Sequence, residues 1–360
     1  MKILFVVDSF SGGAGNVVQI LSTALSKRGY SVSILLLNKY GKSKYDLRKI
    51  EVVERPLSKY AAGFSPIDRV YKSVKFLKKE FEMIDPDIII SFLTELNILS
   101  CMANNSRPLI ISERNDPDRQ ELKNYWKILR DIYYKRADNI IVQSPAFVKF
   151  ANNKYCNMTS VIPNPILKPS IIKDVACLHN PIKLISLGRL SSQKNFFWMI
   201  DRIDELRYSI DEFVLDIYGS GELEKEIKKY IHKKRLDNYV FLKGYINNTY
   251  DVLVDHDIYL MTSDYEGFPN ALSEAMAVGL PSVSRKCHEG ISDLVLDKEN
   301  GMLVDMLDSE GFVDTLKKLI SDKVLREKIA ENAKKVSETY DLEIVIKQWE
   351  NAITSAVNIL

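Results

Sequence analysis

The chain has 360 residues, enough for two domains with full cores, and its hydrophobic fraction of 46% fits a soluble globular protein. No run approaches the ~18 uninterrupted apolar residues of a membrane span. Net charge is only +2, but residues 1–170 hold 26 Lys/Arg against 16 Asp/Glu and the remainder 24 against 32, so a half of charge +10 precedes one of −8. Either these charges are scattered over solvated faces, or the basic half meets an anionic surface or acceptor.

Met1-Lys2 leads straight into Ile3–Val7, a short apolar run ending at Asp8. It reads as a first strand and not a signal peptide, so a cytoplasmic location is expected. Ser11-Gly12-Gly13-Ala14-Gly15 reads as a glycine loop, Asn16 to Lys27 as a helix and Ser31–Leu37 as the next strand. Strand, helix and strand in that order need a crossover, hence a parallel sheet. Ile67 to Met83 has helical spacing, with Arg69, Lys72, Lys75, Lys78 and Lys79 interleaved. Strands follow at 88–90, 109–111 and 140–142, with a helix from Tyr125 to Arg136 rich in aromatics and cations. Pro163-Asn164-Pro165 makes a stiff connector.

The second half restarts the alternation, with strands at Lys183–Leu187, Val214–Tyr218, Val240–Tyr245, Ile258–Met261, Pro281–Ser284 and Gly301–Val304. Helices are expected after the first strand, from Leu223 to Arg235, from Ala271 to Val278, and toward the end of the chain. The predicted architecture is α/β, two facing doubly wound Rossmann-like domains with a cleft between them. The boundaries read as 1–165, 166–341 and a last helix at 342–360 that crosses back to the first domain. Cys101, Cys156, Cys177 and Cys287 lack paired spacing and read as reduced, mostly buried thiols.

Open α/β sheets bind ligands at the carboxyl ends of their strands. The candidates there are Gly12-Gly13, Arg114, Gly188-Arg189, Lys194, Gly219, Gly221, Gly244 and the stretch Glu266 to Glu274. Gly12-Gly13-Ala14-Gly15 is neither the dinucleotide pattern nor a P-loop, and a simple tight turn explains it as well. Arg189 offers a fork and Lys194 a point charge, the two forms of cation that neutralise a diphosphate. The helix opening at Ala271 adds unpaired amides and a positive dipole end. Glu266 and Glu274 form either a glycosidase-like pair or acceptors for sugar and ribose hydroxyls. Asp85-Pro86-Asp87 and Asp116-Pro117-Asp118 superficially mimic metal sites but read as turns, and all four histidines lie in the second half.

Taken together these motifs resemble glycosyltransferase family 4, retaining enzymes of the GT-B fold. The resemblance rests on Gly12-Gly13, Lys27–Tyr30, Pro163-Asn164-Pro165, Gly188-Arg189-Leu190 with Lys194-Asn195, Tyr218–Gly221, Gly244, and Glu266-Gly267-Phe268-Pro269 through Glu274 to Pro281. Ser112-Glu113-Arg114-Asn115-Asp116-Pro117 is similar to a bacterial subgroup that builds lipid-linked oligosaccharide, O-antigen or capsule from UDP-sugars. The resemblance implies that Arg189, Lys194 and the amides of Ala271 and Leu272 bind the donor diphosphate. It implies that Glu274 holds the ribose, Glu266 positions the donor sugar, and Gly244 and Tyr245 lie near the base. Gly13, Gly188, Gly219, Phe268, Pro269 and Asn270 complete the donor set, while Gly12, Glu113 and Arg114 contact acceptor or sugar. Arg114 stands where many relatives carry a histidine, and Gly15 where many carry an acid.

The expected reaction is retaining transfer of a hexose or N-acetylhexosamine from a UDP-sugar to a polyprenyl-diphosphate-linked glycan, without metal or other cofactor. The expected partners are that donor, that acceptor and an anionic membrane surface met by the basic half, on the inner face of the cytoplasmic membrane; no nucleic acid is expected. Two other readings stay open at this point: a glycoside hydrolase using Glu266 and Glu274, and a non-catalytic nucleotide-sugar-binding protein.

Overall fold

A computed structural model of the chain describes residues 1–38, 43–60, 65–155, 158–176 and 178–358. Cys156 and Cys177 fall outside them, while Cys101 and Cys287 are buried. In chain order the elements begin with β1 (Lys2–Val7), α1 (Gly12–Lys27), β2 (Ser31–Leu36), β3 (Glu51–Glu54), α2 (Leu57–Tyr60), α3 (Pro66–Ile84) and β4 (Ile88–Phe92). Next come α4 (Thr94–Ala103), β5 (Leu109–Ser112), α5 (Asn124–Tyr133), β6 (Asn139–Val142), α6 (Val148–Tyr155) and β7 (Met158–Val161). The second series is β8 (Ile182–Leu187), α7 (Phe196–Leu206), β9 (Phe213–Tyr218), α8 (Glu224–Lys233), β10 (Val240–Gly244), α9 (Thr249–Leu253), β11 (Ile258–Met261), α10 (Asn270–Ala277), β12 (Ser282–Arg285) and β13 (Met302–Val304). Four helices close the chain: α11 (Ser309–Ser321), α12 (Lys323–Ala333), α13 (Val336–Thr339) and α14 (Leu342–Val357).

Two compact units result, Met1–Pro165 with Glu343–Leu360, and Ile166–Leu342. The first holds a seven-stranded sheet in the order β3-β2-β1-β4-β5-β6-β7, the second a six-stranded sheet in the order β10-β9-β8-β11-β12-β13. Every strand pair is parallel. In each unit the strand order reverses beside the first strand, which is the doubly wound pattern.

Alternation along the strands builds a core on each face. In β1, Leu4 and Val6 join a layer with α3, α4 and α5, while Ile3, Phe5 and Val7 face α1 and α14. The last helix is thus a structural part of the first unit: Trp349 stacks on Phe92 with centroids 5.8 Å apart. Arg28 at the end of α1 pairs with Glu343 and Glu350, each at 2.5 Å.

The beginning of α1 differs from the sequence expectation. The glycines form no loop; Gly12 to Gly15 are the first turn of the helix. Glycine is a poor helix former, so periodicity places the start too late. Its lack of a side chain is what lets the helix start there. A Cβ on Gly15 would lie 2.2 Å from the carbonyl oxygen of Ser9.

Candidate active site

In the second unit the carboxyl ends of β8, β9 and β10 are packed through glycine. Gly219 follows β9 at φ +148°, and a Cβ there would lie 1.8 Å from the Gly188 carbonyl oxygen. Its N–H donates to the carbonyl of Gly244 at 2.8 Å, and Gly188 N–H donates to Tyr218 O at 3.0 Å. Backbone therefore meets backbone across three strand ends, a close approach that only glycine permits. Tyr245, just past β10, is 61% exposed.

Lys194 ends a 3-10 turn, Ser192–Lys194, whose stem lies over Gly188. Its ammonium is 2.5 Å from Glu266 Oε1, and Glu266 is buried. Several bonds hold this turn against residues 262–266. Asp264 N–H donates to Gln193 O at 2.8 Å, Gln193 Nε2 to Tyr265 O at 2.7 Å, and Thr262 Oγ1 to Lys194 O at 3.1 Å. Asn195 Nδ2 donates to Asp264 Oδ1 at 2.9 Å. The pair is thus fixed by its backbone surroundings as well as by charge. Arg189 is exposed, and among the described residues its side chain makes no hydrogen bond or ion pair.

The helix α10 starts after Phe268-Pro269, and no side chain caps it. The amides of Ala271 and Leu272 fall in its first turn, where helical geometry provides no acceptor. Phe268 packs edge-on against Tyr340 at 5.5 Å, and Asn270 N–H donates to Phe268 O at 2.9 Å, which shapes the turn into the helix. Glu274, half-buried in the second turn, accepts from Thr249 Oγ1 at 2.7 Å. Beneath both acids lies Tyr259. Burial first, then the charges of Glu266 and Glu274, push its hydroxyl well above the usual tyrosine range. One buried phenol therefore senses both carboxylates.

Sequence patterns gave no sign of Thr249, Tyr259 or the bond between Asn195 and Asp264. They also missed Arg285, whose Nη1 donates to Thr262 O and Asp264 Oδ1, both at 3.0 Å, and whose Nη2 donates to Met306 O at 2.6 Å. It lies 4.4 Å over the ring of Trp198. The available signal was a cation at the end of β12, directly after Ser282-Val283-Ser284.

In the first unit Gly12 and Gly13 open α1 and are exposed. Glu113, by contrast, is turned inward and 2% exposed. Its Oε2 accepts from Thr94 Oγ1 at 2.7 Å and its Oε1 accepts from the Tyr134 hydroxyl. Burial pushes its carboxyl up against those stabilising bonds. Arg114 points the other way and is half-buried. It donates to Ser112 Oγ at 3.2 Å and to Asn164 Oδ1, and its guanidinium lies 5.1 Å over the Phe92 ring. Desolvation pulls it down to about 9. Leu93, between β4 and α4, holds φ +80°, a strained value for a branched side chain.

A pocket of about 480 Å³ lined by Lys286, Asp297, Lys298 and Asp308 among others shares none of these residues. Among the described residues no group of three or more His, Cys, Asp or Glu is placed to hold a metal ion, and no helix is long and apolar enough to cross a membrane.

Comparison with known proteins bears on the whole chain. Residues 11–166 match the family model described as Glycosyltransferase Family 4, and residues 168–336 the one described as Glycosyl transferases group 1. The chain is 25% identical, over 99% of both lengths, to the GalNAc-alpha-(1->4)-GalNAc-alpha-(1->3)-diNAcBac-PP-undecaprenol alpha-1,4-N-acetyl-D-galactosaminyltransferase of Campylobacter jejuni. Its fold is similar to that of sucrose-phosphate synthase from Thermosynechococcus elongatus, with a TM-score of 0.85 and 15% identity over 100% of both chains. It is also similar to Anabaena HepE, solved with UDP and glucose, with a TM-score of 0.80 and 21% identity over 99% of this chain and 100% of that one. With both halves matched and the fold shared along its length, the chain belongs to the family 4 glycosyltransferases, enzymes of the GT-B fold.

Proposed function

We propose that this glycosyltransferase moves a hexose or N-acetylhexosamine from a UDP-sugar to a polyprenyl-diphosphate-linked glycan in the assembly of a bacterial surface polysaccharide, with retention at the anomeric carbon. The observation that carries the reading is the arrangement at the strand ends of the second unit. There Lys194 is paired with Glu266, Arg189 is exposed without a side-chain partner among the described residues, and the first turn of α10 has no capping side chain. The named acceptor of the Campylobacter relative and the UDP in the HepE structure support the donor and acceptor classes.

In this reading Arg189, Lys194 and the amides of Ala271 and Leu272 take the diphosphate. Glu274 accepts from the ribose hydroxyls, Glu266 orients the donor sugar, and Gly188, Gly219, Gly244, Tyr245 and residues 268–270 shape the nucleotide's bed. The bond from the sugar C1 to the diphosphate oxygen breaks and a bond from C1 to the acceptor oxygen forms on the same face. The acceptor proton passes to the departing phosphate. Fixed positive charge stabilises that leaving group, so the step needs no metal. Glu266 is already engaged by Lys194 at 2.5 Å, which speaks against its use as half of a hydrolytic carboxylate pair.

We further propose that the first unit meets an anionic membrane through α3 and α5. Both flank α4 in one helical layer, and they expose Ile67 (82%), Tyr71 (66%), Ile128 (61%) and Ile132 (55%) among lysines.

A thermal-shift panel of nucleotide sugars tests the donor. The UDP-sugar that is the substrate is expected to raise Tm at ligand concentrations above its Kd, while GDP-sugars do not. Stabilisation by GDP-sugars alone would overturn the donor assignment.

A further inference from the structure

Arg114 differs from the other well-packed arginines of the described chain. Arg130 and Arg326 also donate to backbone carbonyls and to no carboxylate among the described residues, but at 6% and 5% exposed they are closed to solvent. Arg285 holds Asp264 and two carbonyls. Arg28, Arg107 and Arg207 pair with carboxylates. Arg114 is half-buried, sits just past the carboxyl end of β5, and among the described residues donates only to two neutral oxygens, those of Ser112 and Asn164. A guanidinium has five N–H donors in a planar fork, so most of this one is unused.

Its position is held firmly. The guanidinium carbon lies 5.1 Å over the ring of Phe92, which is fully buried and itself stacks on Trp349 of α14, 1% exposed. The Asn164 oxygen that it donates to is shared with Gln143 Nε2 at 2.9 Å, so the strand ends of β6 and β7 fix that acceptor in turn. The nearest carboxylate in sequence, Glu113, points into the opposite layer and is committed to Thr94 and Tyr134. A partly desolvated cation without an anionic partner is costly to keep. Held rigidly with a free edge, it is suited to receive two oxygens of one anion.

We propose that Arg114 is a phosphoryl-binding residue of the first unit, gripping two oxygens of a diphosphate through its free guanidinium edge. The proposal rests on the transferase reading for its ligand, since both the proposed donor and the proposed acceptor carry a diphosphate. It goes beyond that reading in giving Arg114 an anionic ligand rather than a general contact with acceptor or sugar.

The test uses the full chain as wild type, Arg114→Gln and Arg114→Lys, with Tm measured for each. Calorimetric titration with inorganic pyrophosphate needs no turnover. Arg114→Gln is expected to weaken it by about tenfold or more, and Arg114→Lys, which keeps the charge but loses the fork, by less. Titration with UDP, and acceptor KM with the same glycan on a diphosphate or on an uncharged aglycone, then separate the sources. Weaker UDP binding assigns the donor. A raised KM for the diphosphate acceptor alone assigns the acceptor. Pyrophosphate, UDP and KM values all within about twofold of wild type, in whichever variant folds, would overturn the proposal and leave Arg114 as a packing residue. Absence of transfer by the wild type on every acceptor, with pyrophosphate binding still dependent on Arg114, would instead sink the transferase reading and leave this site standing.

Discussion

Lys194 and Glu266 are 72 residues apart in sequence and 2.5 Å apart in space. Their pairing gives each a second duty beyond the ligand. Glu266 is buried, with 8% of its side chain exposed against 21% for Lys194. Removing the cation leaves a carboxylate with little access to water. Lys194→Met is therefore expected both to stop transfer and to destabilise the second unit by about 2–3 kcal/mol, less than a fully dry pair because Lys194 touches solvent. That corresponds to a fall in Tm of roughly 5–10 °C. The double variant Lys194→Met/Glu266→Gln is expected to recover most of the Tm and none of the transfer. Additive losses in Tm would mean that the pair contributes nothing to the fold. Residue types at strand ends made the two candidates legible in the sequence. Their contact was not, because it depends on how two separated turns lock through Gln193, Asn195, Thr262 and Asp264. Arg285 was missed for the same reason: a buried cation looks no different in sequence from an exposed one.

At the level of elements, runs of Ile, Leu and Val marked the central strands, and Ile258–Met261 lies where the pattern put it. The elements without a period were missed. All but two residues of α4 are buried, so it has no polar face to alternate against. The edge strands β3 and β7 are four residues each and only partly buried. The helix α14 shows how a segment far along the chain completes an earlier unit, through Trp349 on Phe92 and Arg28 between Glu343 and Glu350. Trp349→Ala should destabilise the first unit by about 3–5 kcal/mol through the cavity it leaves. Deuterium exchange checks this: amides of β1, β4 and α1 should lose protection before those of β8 and β11. Uniform loss across both units, or none, would contradict the assignment of α14 to the first unit's core.

For the whole molecule, the charge asymmetry of the sequence acquires a location. The basic half contains α3 and α5, whose exposed Ile67, Tyr71, Ile128 and Ile132 lie among Lys75, Lys78, Lys79, Lys127 and Lys135. Liposomes containing anionic lipid should sediment the protein at low salt, with binding falling as salt rises. Ile128→Ser/Ile132→Ser should weaken it further without changing UDP binding. Sedimentation indifferent to anionic lipid and salt would contradict membrane binding through α3 and α5.

The Glu274 carboxylate accepts from Thr249 in the structure and is proposed to accept from ribose in the complex. The direct measurement is calorimetric binding of UDP to Glu274→Ala, beside its transfer rate and Tm. UDP binding is expected to weaken by about tenfold or more, with transfer lost and Tm within about 3 °C of wild type. Wild-type affinity and rate in a folded Glu274→Ala protein would contradict this role.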